Sequence, residues 1–276
     1  MTKKLNLPDI NVKELMGFLP LSVWNLNANK EDKKLANDQG EATTRRSGNT
    51  VVLPNLKFSR FNTETAKCVY RYWSERNDLV LDPFSGRSTR AVMAIKENRR
   101  YVGYDVSTLA CNMMLSNETI TESVKIGNCE IINGDGCKLA NTLDNSIDLV
   151  FTCPPYWNQE KYESVDGQLS DCRTYEDFLS SMRECFDNCH RVLKLDKYCI
   201  VVIGDIRRDK AILPLHKDFI ELGMLVGFKL HDVVIEQIRT PHAFWRVREN
   251  YRCGFTAKAH QYILVFKKKE CHERLC

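Results

Sequence analysis

A short segment near the middle of the chain, Phe151-Thr152-Cys153-Pro154-Pro155-Tyr156-Trp157, combines a thiol, two prolines and two aromatic rings. It follows residues 147–150, a short apolar run that predicts a buried strand. The prolines end this strand, because proline lacks the amide proton that a β-ladder needs and fixes its own φ. The carbonyl of Pro154 and the flat face of Tyr156 could then hold a planar ring that carries an amino group. A proline turn capped by two core aromatics would give the same pattern, so the heptapeptide alone leaves both interpretations open.

A second segment, residues 79–90, predicts an apolar strand, a tight turn with a glycine and the start of a helix. Such a unit brings backbone amides and the helix dipole close to a ligand. Gly86 permits a close approach because it has no Cβ, and Asp82 can accept from a cationic group. The spacing matches neither the dinucleotide glycine pattern nor a phosphate loop with its lysine.

The sequence Asp-Pro-Phe-x-Gly before a helix, followed later by Pro-Pro-Tyr, resembles the amino-methyltransferases that use S-adenosylmethionine. These enzymes methylate the exocyclic nitrogen of cytosine or adenine in DNA. The resemblance covers roughly residues 58–268, and the two motifs are specific as a pair, whereas either alone would be weak. It implies a catalytic group and a cofactor-binding group. The catalytic residues would be Cys153, Pro154, Pro155 and Tyr156, and the cofactor-binding residues Phe58, Asn62, Asp82, Phe84, Gly86, Thr89, Asp105 and Asp135.

Two of these acids have an argument of their own. Asp105 ends the predicted strand 101–105, where a carboxylate can accept two ribose hydroxyls. Methyltransferases and dehydrogenases share this feature, so Asp105 indicates an adenosine-bearing cofactor without choosing between them. Asp135 lies in a glycine-flanked loop after the third predicted strand and resembles the residue that binds the adenine amino group in this family. An aspartate in an ordinary turn would give the same pattern.

The chain departs from the family pattern at two positions. Ser88 stands where the family has a second glycine, and we expect it to be tolerated as a small helix-capping residue. Cys153 stands where the family has Asp, Asn or Ser. Cysteine resembles serine in size and neutrality, and Ser-Pro-Pro-Tyr is associated with cytosine, so cytosine N4 is favoured over adenine N6. Sulfur is the weaker acceptor.

The chemistry requires two acceptors for the amino protons, so that the nitrogen lone pair is freed toward the methyl group. Cys153 and the Pro154 carbonyl could supply them while Tyr156 stacks on the base, which must first leave the duplex. Attack of Cys153 on a ring carbon is disfavoured, because the carbon-five enzymes resemble Pro-Cys with the proline first. Two alternatives remain. One is an RNA substrate. The other is a catalytically weakened methyltransferase fold that binds nucleic acid, and it is suggested by the departures from the family pattern at Ser88 and Cys153.

Periodicity predicts the elements that position these residues. Helices are expected over 63–75, 174–193 and 213–222, with further strands over 199–203, 228–238 and 261–266. The last two strands suit an antiparallel end of the sheet. The predicted fold is α/β: a Rossmann-like methyltransferase sheet with an antiparallel last strand and helices on both faces.

Three regions are expected: an amino-terminal extension (1–54), a catalytic domain (55–270) and a tail (271–276). Residues 27–50 are polar and predict a disordered or loosely docked segment, although their basic residues would also suit a lid that orders on DNA. Trp24 is expected to pack on the main domain. The long loop between the last two strands interleaves arginines with aromatics, which suits phosphate contact and base stacking. A solvated loop with a few anchored aromatics would give the same pattern. The expected nucleic-acid-binding residues are Trp157, Arg239, Trp245, Arg246, Arg248 and Arg252.

Composition is compatible with this interpretation. The net charge of +4 permits a DNA partner without requiring one. The twelve cysteines show no Cys-x-x-Cys pair and no signal peptide precedes them, so we expect reduced thiols in a cytoplasmic protein and no metal site. No apolar run is long enough for a membrane span. A restriction endonuclease partner is compatible with the family, and the oligomeric state is left open.

Overall fold

The structure is a computed structural model that describes residues 13, 16, 20–27, 30–36, 61–158, 167–238, 247, 250–251 and 253–270. Several predicted site residues lie outside the described part of the chain. These are Phe58, Arg239, Trp245, Arg246, Arg248 and Arg252.

An eight-stranded sheet forms the centre of the protein, with the strand order β1-β9-β10-β6-β5-β2-β3-β4. Strand β10 is antiparallel to both of its neighbours, and all other pairs are parallel. A separate antiparallel hairpin consists of β7 and β8. The strands are β1 (Val23–Trp24), β2 (Leu79–Asp82), β3 (Arg100–Asp105), β4 (Cys129–Asn133), β5 (Ile147–Thr152), β6 (Leu193–Ile203), β7 (Ile206–Arg208), β8 (Ala211–Leu213), β9 (Lys229–Gln237) and β10 (His260–Lys267).

Helices cover both faces of this sheet. On one face, α2 and α3 contribute to a core that includes Tyr70, Met93 and Phe151; on the other, α6 and α7 pack around Phe178 and Phe219. The helices are α1 (Lys30–Leu35), α2 (Thr63–Trp73), α3 (Thr89–Lys96), α4 (Thr108–Leu115), α5 (Glu118–Lys125), α6 (Tyr175–Val192) and α7 (Leu215–Leu225). The predicted α/β fold with an antiparallel last strand is therefore confirmed.

The central strands show why this layering forms. Side chains alternate between the two faces of a strand, and along β6 Ile200 packs into one core while Cys199 and Val201 pack into the other. β5 is buried along its whole length, as expected of a parallel strand covered on both faces. Its single acid, Asp148, is satisfied by the Leu79 amide at 3.0 Å and by Lys194 at 2.7 Å.

Helix starts agree with the capping signals in two cases and disagree in a third. The Asn62 side chain accepts from the Glu64 amide at 3.0 Å, and Thr174 forms a reciprocal capping box with Asp177. The expectation that Ser88 caps α3 is wrong. Ser88 has helical φ and ψ, and its buried hydroxyl has no hydrogen-bond partner among the described residues.

Two pieces of the amino-terminal region belong to the domain itself. Trp24 is 2% exposed and stacks on Trp73 with ring centroids 5.7 Å apart, which confirms its predicted packing. Helix α1 lies where a loosely docked segment was expected, and its buried Asp32 pairs with Lys96. For residues 30–35 that expectation is therefore wrong, because the ion pair of the buried Asp32 carboxylate and the packing of the adjacent Ala36 into the core hold a polar sequence in place.

Within the described ranges, no cluster of three or more metal-ligating side chains is present, and every cysteine is a free thiol. The helices described there are too short or too polar to cross a membrane.

Candidate active site

A cavity of about 910 Å³ opens at the carboxyl edge of the sheet, where the parallel strands β2, β3, β4 and β5 end. Ligands of open α/β sheets bind at this edge. The cavity brings together most of the residues singled out by the sequence. Its walls include Asn62, Phe84, Gly86, Thr89, Asp105, Asp135, Cys153, Pro154, Pro155 and Tyr156.

Asp82 has a different position from the one expected. Its carboxylate is fully buried, and it is not among the residues of the cavity wall. One oxygen accepts from Arg90 Nε at 2.6 Å and from the Tyr101 hydroxyl at 2.8 Å. The other accepts from the Thr152 hydroxyl at 2.7 Å and the Phe84 amide at 3.2 Å. A ligand ammonium group would have to displace these donors.

The Asp82 network therefore has a positioning role. Thr152 immediately precedes Cys153, so the carboxylate at the end of β2 fixes the end of β5. Burial raises the pKa of the Tyr101 phenol well above its ordinary value, so this hydroxyl remains a donor to Asp82. The buried Arg90 guanidinium, which also reaches the Phe84 carbonyl, balances the carboxylate charge and lies near enough to Cys153 for an electrostatic interaction.

Asp105 is the last residue of β3 and also lines the cavity. Its two oxygens accept from the Gly86 and Ser107 amides, both at 2.9 Å. Burial raises the pKa of this carboxyl, and the two backbone hydrogen bonds oppose that rise. Gly86 has φ +57°, a conformation that favours glycine. The turn after β2 is thus tied directly to the acid after β3.

The loop after β4 packs tightly against the first turn. Asp135 lines the cavity and accepts from the Cys137 amide at 2.9 Å, while Lys138 lies 3.1 Å from its second oxygen. A Cβ placed on Gly136 would lie 1.9 Å from the Pro83 carbonyl oxygen. Only a residue without a side chain fits between these two loops.

Tyr156 is held by its hydroxyl, while its ring faces the cavity. The oxygen accepts from the Gly204 amide at 2.8 Å, just past the end of β6. The ammonium of Lys258 lies 5.9 Å from the ring centroid. Pro154 is buried and Cys153 is half-buried, so the segment presents a thiol and a ring from a rigid base.

Trp157 does not line the cavity. Its indole nitrogen donates to the Cys172 carbonyl at 2.9 Å, and its ring lies 5.4 Å from that of Tyr175. The Arg208 guanidinium lies 4.4 Å from the same ring. This is an anchored position, and contact of Trp157 with nucleic acid stays a prediction.

Sequence reasoning missed several polar residues of the cavity wall, among them Arg90, Glu236 and Gln261. Glu236 is 2% exposed and accepts from Asn62 at 3.2 Å and from Gln261 at 2.8 Å, as well as from the Thr65 hydroxyl. The available signal was a single acid that follows the apolar run 233–235 in β9. The buried Glu236 carboxylate, with its three donors, therefore holds Asn62 and Gln261 in place in the cavity wall.

The fold and site define a class, the Rossmann-like methyltransferases. Here the acid Asp105 ends β3, and the proline-rich motif follows β5. The chain belongs to the DNA methylase family, whose model matches residues 18–116 and 147–274. The predicted resemblance to amino-methyltransferases is thereby confirmed.

Two curated proteins share shorter stretches with the chain. The Type II methyltransferase M.BglII of Bacillus subtilis is 42% identical over 100 residues, which cover 36% of this chain and 26% of that protein. The orphan methyltransferase M.BamHII of Bacillus amyloliquefaciens is 42% identical over 48 residues, or 17% of each protein. The matches thus span about a quarter or less of these relatives.

Among solved structures, TrmN from Thermus thermophilus is similar with a TM-score of 0.51 and 13% identity, over 75% of this chain and 49% of that one. At this level of identity the likeness concerns the fold alone.

Proposed function

We propose that the protein is a DNA methyltransferase that transfers a methyl group to the exocyclic amino nitrogen of a base held outside the duplex, with cytosine N4 as the favoured target. The observation that carries this proposal is that one cavity is lined both by Asp105 and by Cys153-Pro154-Pro155-Tyr156. Membership of the DNA methylase family supports it.

S-adenosyl-L-methionine is the cofactor. The chemistry of the cavity fits this group: an acid for ribose hydroxyls, a second acid near an adenine amino group and a glycine turn for close approach. A volume of about 910 Å³ is at the upper end of ordinary small-molecule sites, which suits a cofactor and a base together. Asp105, Asp135, Gly86, Phe84 and Thr89 would hold it, and Asn62 would lie toward the methionine end. When bound, the cofactor supplies an electrophilic methyl group on a sulfonium.

The residues of the chain would activate and orient the amino nitrogen. The thiol of Cys153 and the carbonyl of Pro154 would accept hydrogen bonds from its two N–H groups, which turns the lone pair out of conjugation with the ring. After the methyl group has moved, the nitrogen would release one of these protons to solvent. Tyr156 would stack on the base, and its hydrogen bond to the Gly204 amide fixes the plane of stacking. Positioning and fixed dipoles, without a covalent enzyme intermediate, would supply most of the rate gain.

The decisive measurement is nucleoside mass spectrometry of DNA incubated with the protein and S-adenosyl-L-methionine, with RNA in parallel. We expect N4-methylcytosine in DNA, which Tyr156→Ala abolishes. Tyr156→Phe is the matched control, because it keeps the ring and loses the contact with the Gly204 amide. Its activity should lie between that of the unmodified protein and that of Tyr156→Ala. N6-methyladenine would overturn the choice of base, and methyl groups in RNA alone would overturn the choice of substrate.

Cys153→Ser tests the role of the thiol. A hydroxyl oxygen accepts a stronger hydrogen bond than sulfur, so single-turnover methylation should be faster in this variant and slower in Cys153→Ala. Loss of activity in both variants, with cofactor binding intact, would instead indicate a nucleophilic thiol and contradict direct transfer.

A further inference from the structure

A hairpin that the sequence did not predict rises from the carboxyl edge of the sheet, directly beside the cavity. Strand β6 ends at Ile203, and after two residues the chain forms β7 and β8 (206–213). The turn contains Asp209 and Lys210, both with positive φ. The hairpin carries Arg207, Arg208 and Lys210 within four consecutive positions.

Aromatic rings and carbonyl groups hold two of these cations in place. The Arg207 guanidinium lies 4.3 Å from the centroid of the Phe255 ring and donates to the Thr256 carbonyl at 3.0 Å. The Arg208 guanidinium lies 4.4 Å from the centroid of the Trp157 ring. Cation–π contacts order a side chain without neutralising its charge, so both arginines keep their capacity to bind an anion.

The hairpin is linked to the catalytic segment through residues 204 and 205. The Gly204 amide donates to Tyr156, and the Asp205 carbonyl accepts from Lys258 Nζ at 2.9 Å. The Lys258 ammonium also lies 5.9 Å from the Tyr156 ring centroid. The cations therefore extend from the hairpin to Tyr156, a residue of the cavity wall.

Nearby acids only partly offset this charge. The Asp205 carboxylate is hydrogen-bonded to the His216 ring at 2.6 Å, and the Asp209 carboxylate lies 3.6 Å from Arg208 with its side chain 93% exposed. These two acids face the four cations Arg207, Arg208, Lys210 and Lys258. Within the described residues Arg207 makes no ion pair with a carboxylate. A row of ordered cations with little acidic compensation is the electrostatic footprint of a nucleic-acid backbone.

We propose that the hairpin 206–213 and Lys258 form a DNA-phosphate-binding edge that holds the strand next to the extruded base. This inference rests on the proposed function. Arg207 and Arg208 are oriented before DNA arrives, so less side-chain entropy is lost when they bind phosphates. Trp157 then acts as a platform for Arg208 and need not contact a base.

The test is the salt dependence of DNA binding, measured by fluorescence anisotropy with a labelled duplex and saturating S-adenosyl-L-methionine. Each phosphate contact contributes about 0.9 to the slope of log Kobs against log salt concentration. Arg207→Gln/Arg208→Gln should therefore lower the slope by about 2 and, between 50 and 200 mM salt, reduce the salt-induced loss of affinity by about tenfold. Lys210→Gln, at the exposed tip, should lower the slope by about 1 without touching packed groups.

The matched control is Arg100→Gln/Lys125→Gln, which removes two exposed cations at the opposite, amino edge of the sheet. Its slope should equal that of the unmodified protein, and cofactor affinity should be the same in all variants. Unchanged slopes in both hairpin variants, with the unmodified protein binding DNA, would overturn the hairpin assignment alone. A protein that does not bind DNA at any salt concentration would overturn the proposed function as well.

Discussion

Substitution of Gly136 by alanine tests whether contact between two loops builds the cofactor end of the cavity. The added Cβ would lie 1.9 Å from the Pro83 carbonyl oxygen and 2.7 Å from its carbonyl carbon. Both atoms are backbone, so no side-chain rotation relieves the overlap. Reaching even the 3.0 Å limit of real Cβ contacts requires the loops after β2 and β4 to separate by roughly 1 Å.

This displacement has two measurable consequences. Overpacking of a well-packed region costs about 1–3 kcal/mol, which for a chain of this size lowers Tm by about 2–4 °C per kcal/mol. Asp135, the adjacent residue, moves with the loop. A misplacement of about 1 Å can cost on the order of 100-fold in function, and we expect a loss of cofactor affinity approaching this size by isothermal titration calorimetry.

Gly134→Ala is the matched control, because the same added Cβ two residues earlier would meet its nearest neighbour, Ile132, at an ordinary 3.7 Å. This variant should bind cofactor and melt as the unmodified protein does. If Gly136→Ala were indistinguishable from Gly134→Ala in both assays, the contact between the two loops would not control the site.

Three further changes probe the framework. Arg90→Met leaves the Asp82 carboxylate buried without its cation and should reduce the free energy of unfolding by about 3–5 kcal/mol in urea denaturation. The double variant Asp82→Asn/Arg90→Met should lose less stability than this single variant. A double variant that is less stable than Arg90→Met would contradict the ion-pair argument. Trp24→Ala removes a buried ring stacked on Trp73 and should cost about 3–5 kcal/mol in the same assay, whereas a loss below about 1 kcal/mol would mean that this packing is weak. Burial raises the pKa of Asp105 above the ordinary 3.8, so its charged form becomes less favourable on folding and this group's contribution to stability falls as pH rises from the unfolded pKa through the folded one. Cofactor affinity has the opposite dependence on pH, because the ionised carboxylate accepts the ribose hydroxyls. As pH is lowered, titration calorimetry should show that cofactor affinity begins to fall while the pH is still above 3.8. An equally steep fall in Asp105→Asn would assign the effect to another group.

Local patterns were sufficient for most of the fold. The capping box at Thr174, the continuous apolar run 199–203 of β6 and the proline stop after β5 are each encoded within a few neighbouring residues, so the corresponding elements could be predicted. The positions of Asp105 and Tyr156 at the carboxyl edge also followed, since parallel strands end on the same side of a sheet.

What could not be predicted depends on distant partners. β1 has only two residues and no periodicity of its own, and its pairing with β9 supplies the hydrogen bonds. The internal role of Asp82 requires Tyr101 and Thr152, which no local window contains. Ser88 looked like a helix cap because of its type, but its backbone is already helical.

The pairing of β1 with β9 affects how the protein is made. Val23 pairs with Ile235, so β1 waits for β9, which is synthesised after every other described strand except β10. At about 5–20 residues per second, the ribosome takes on the order of 10–40 s to make the intervening chain. The strands around the cofactor end, β2 to β5, are complete well before that time. On the nascent chain β1 would therefore lack its strand partner, and only the packing of Trp24 on Trp73 would hold it, until β9 emerges and the edge of the sheet closes.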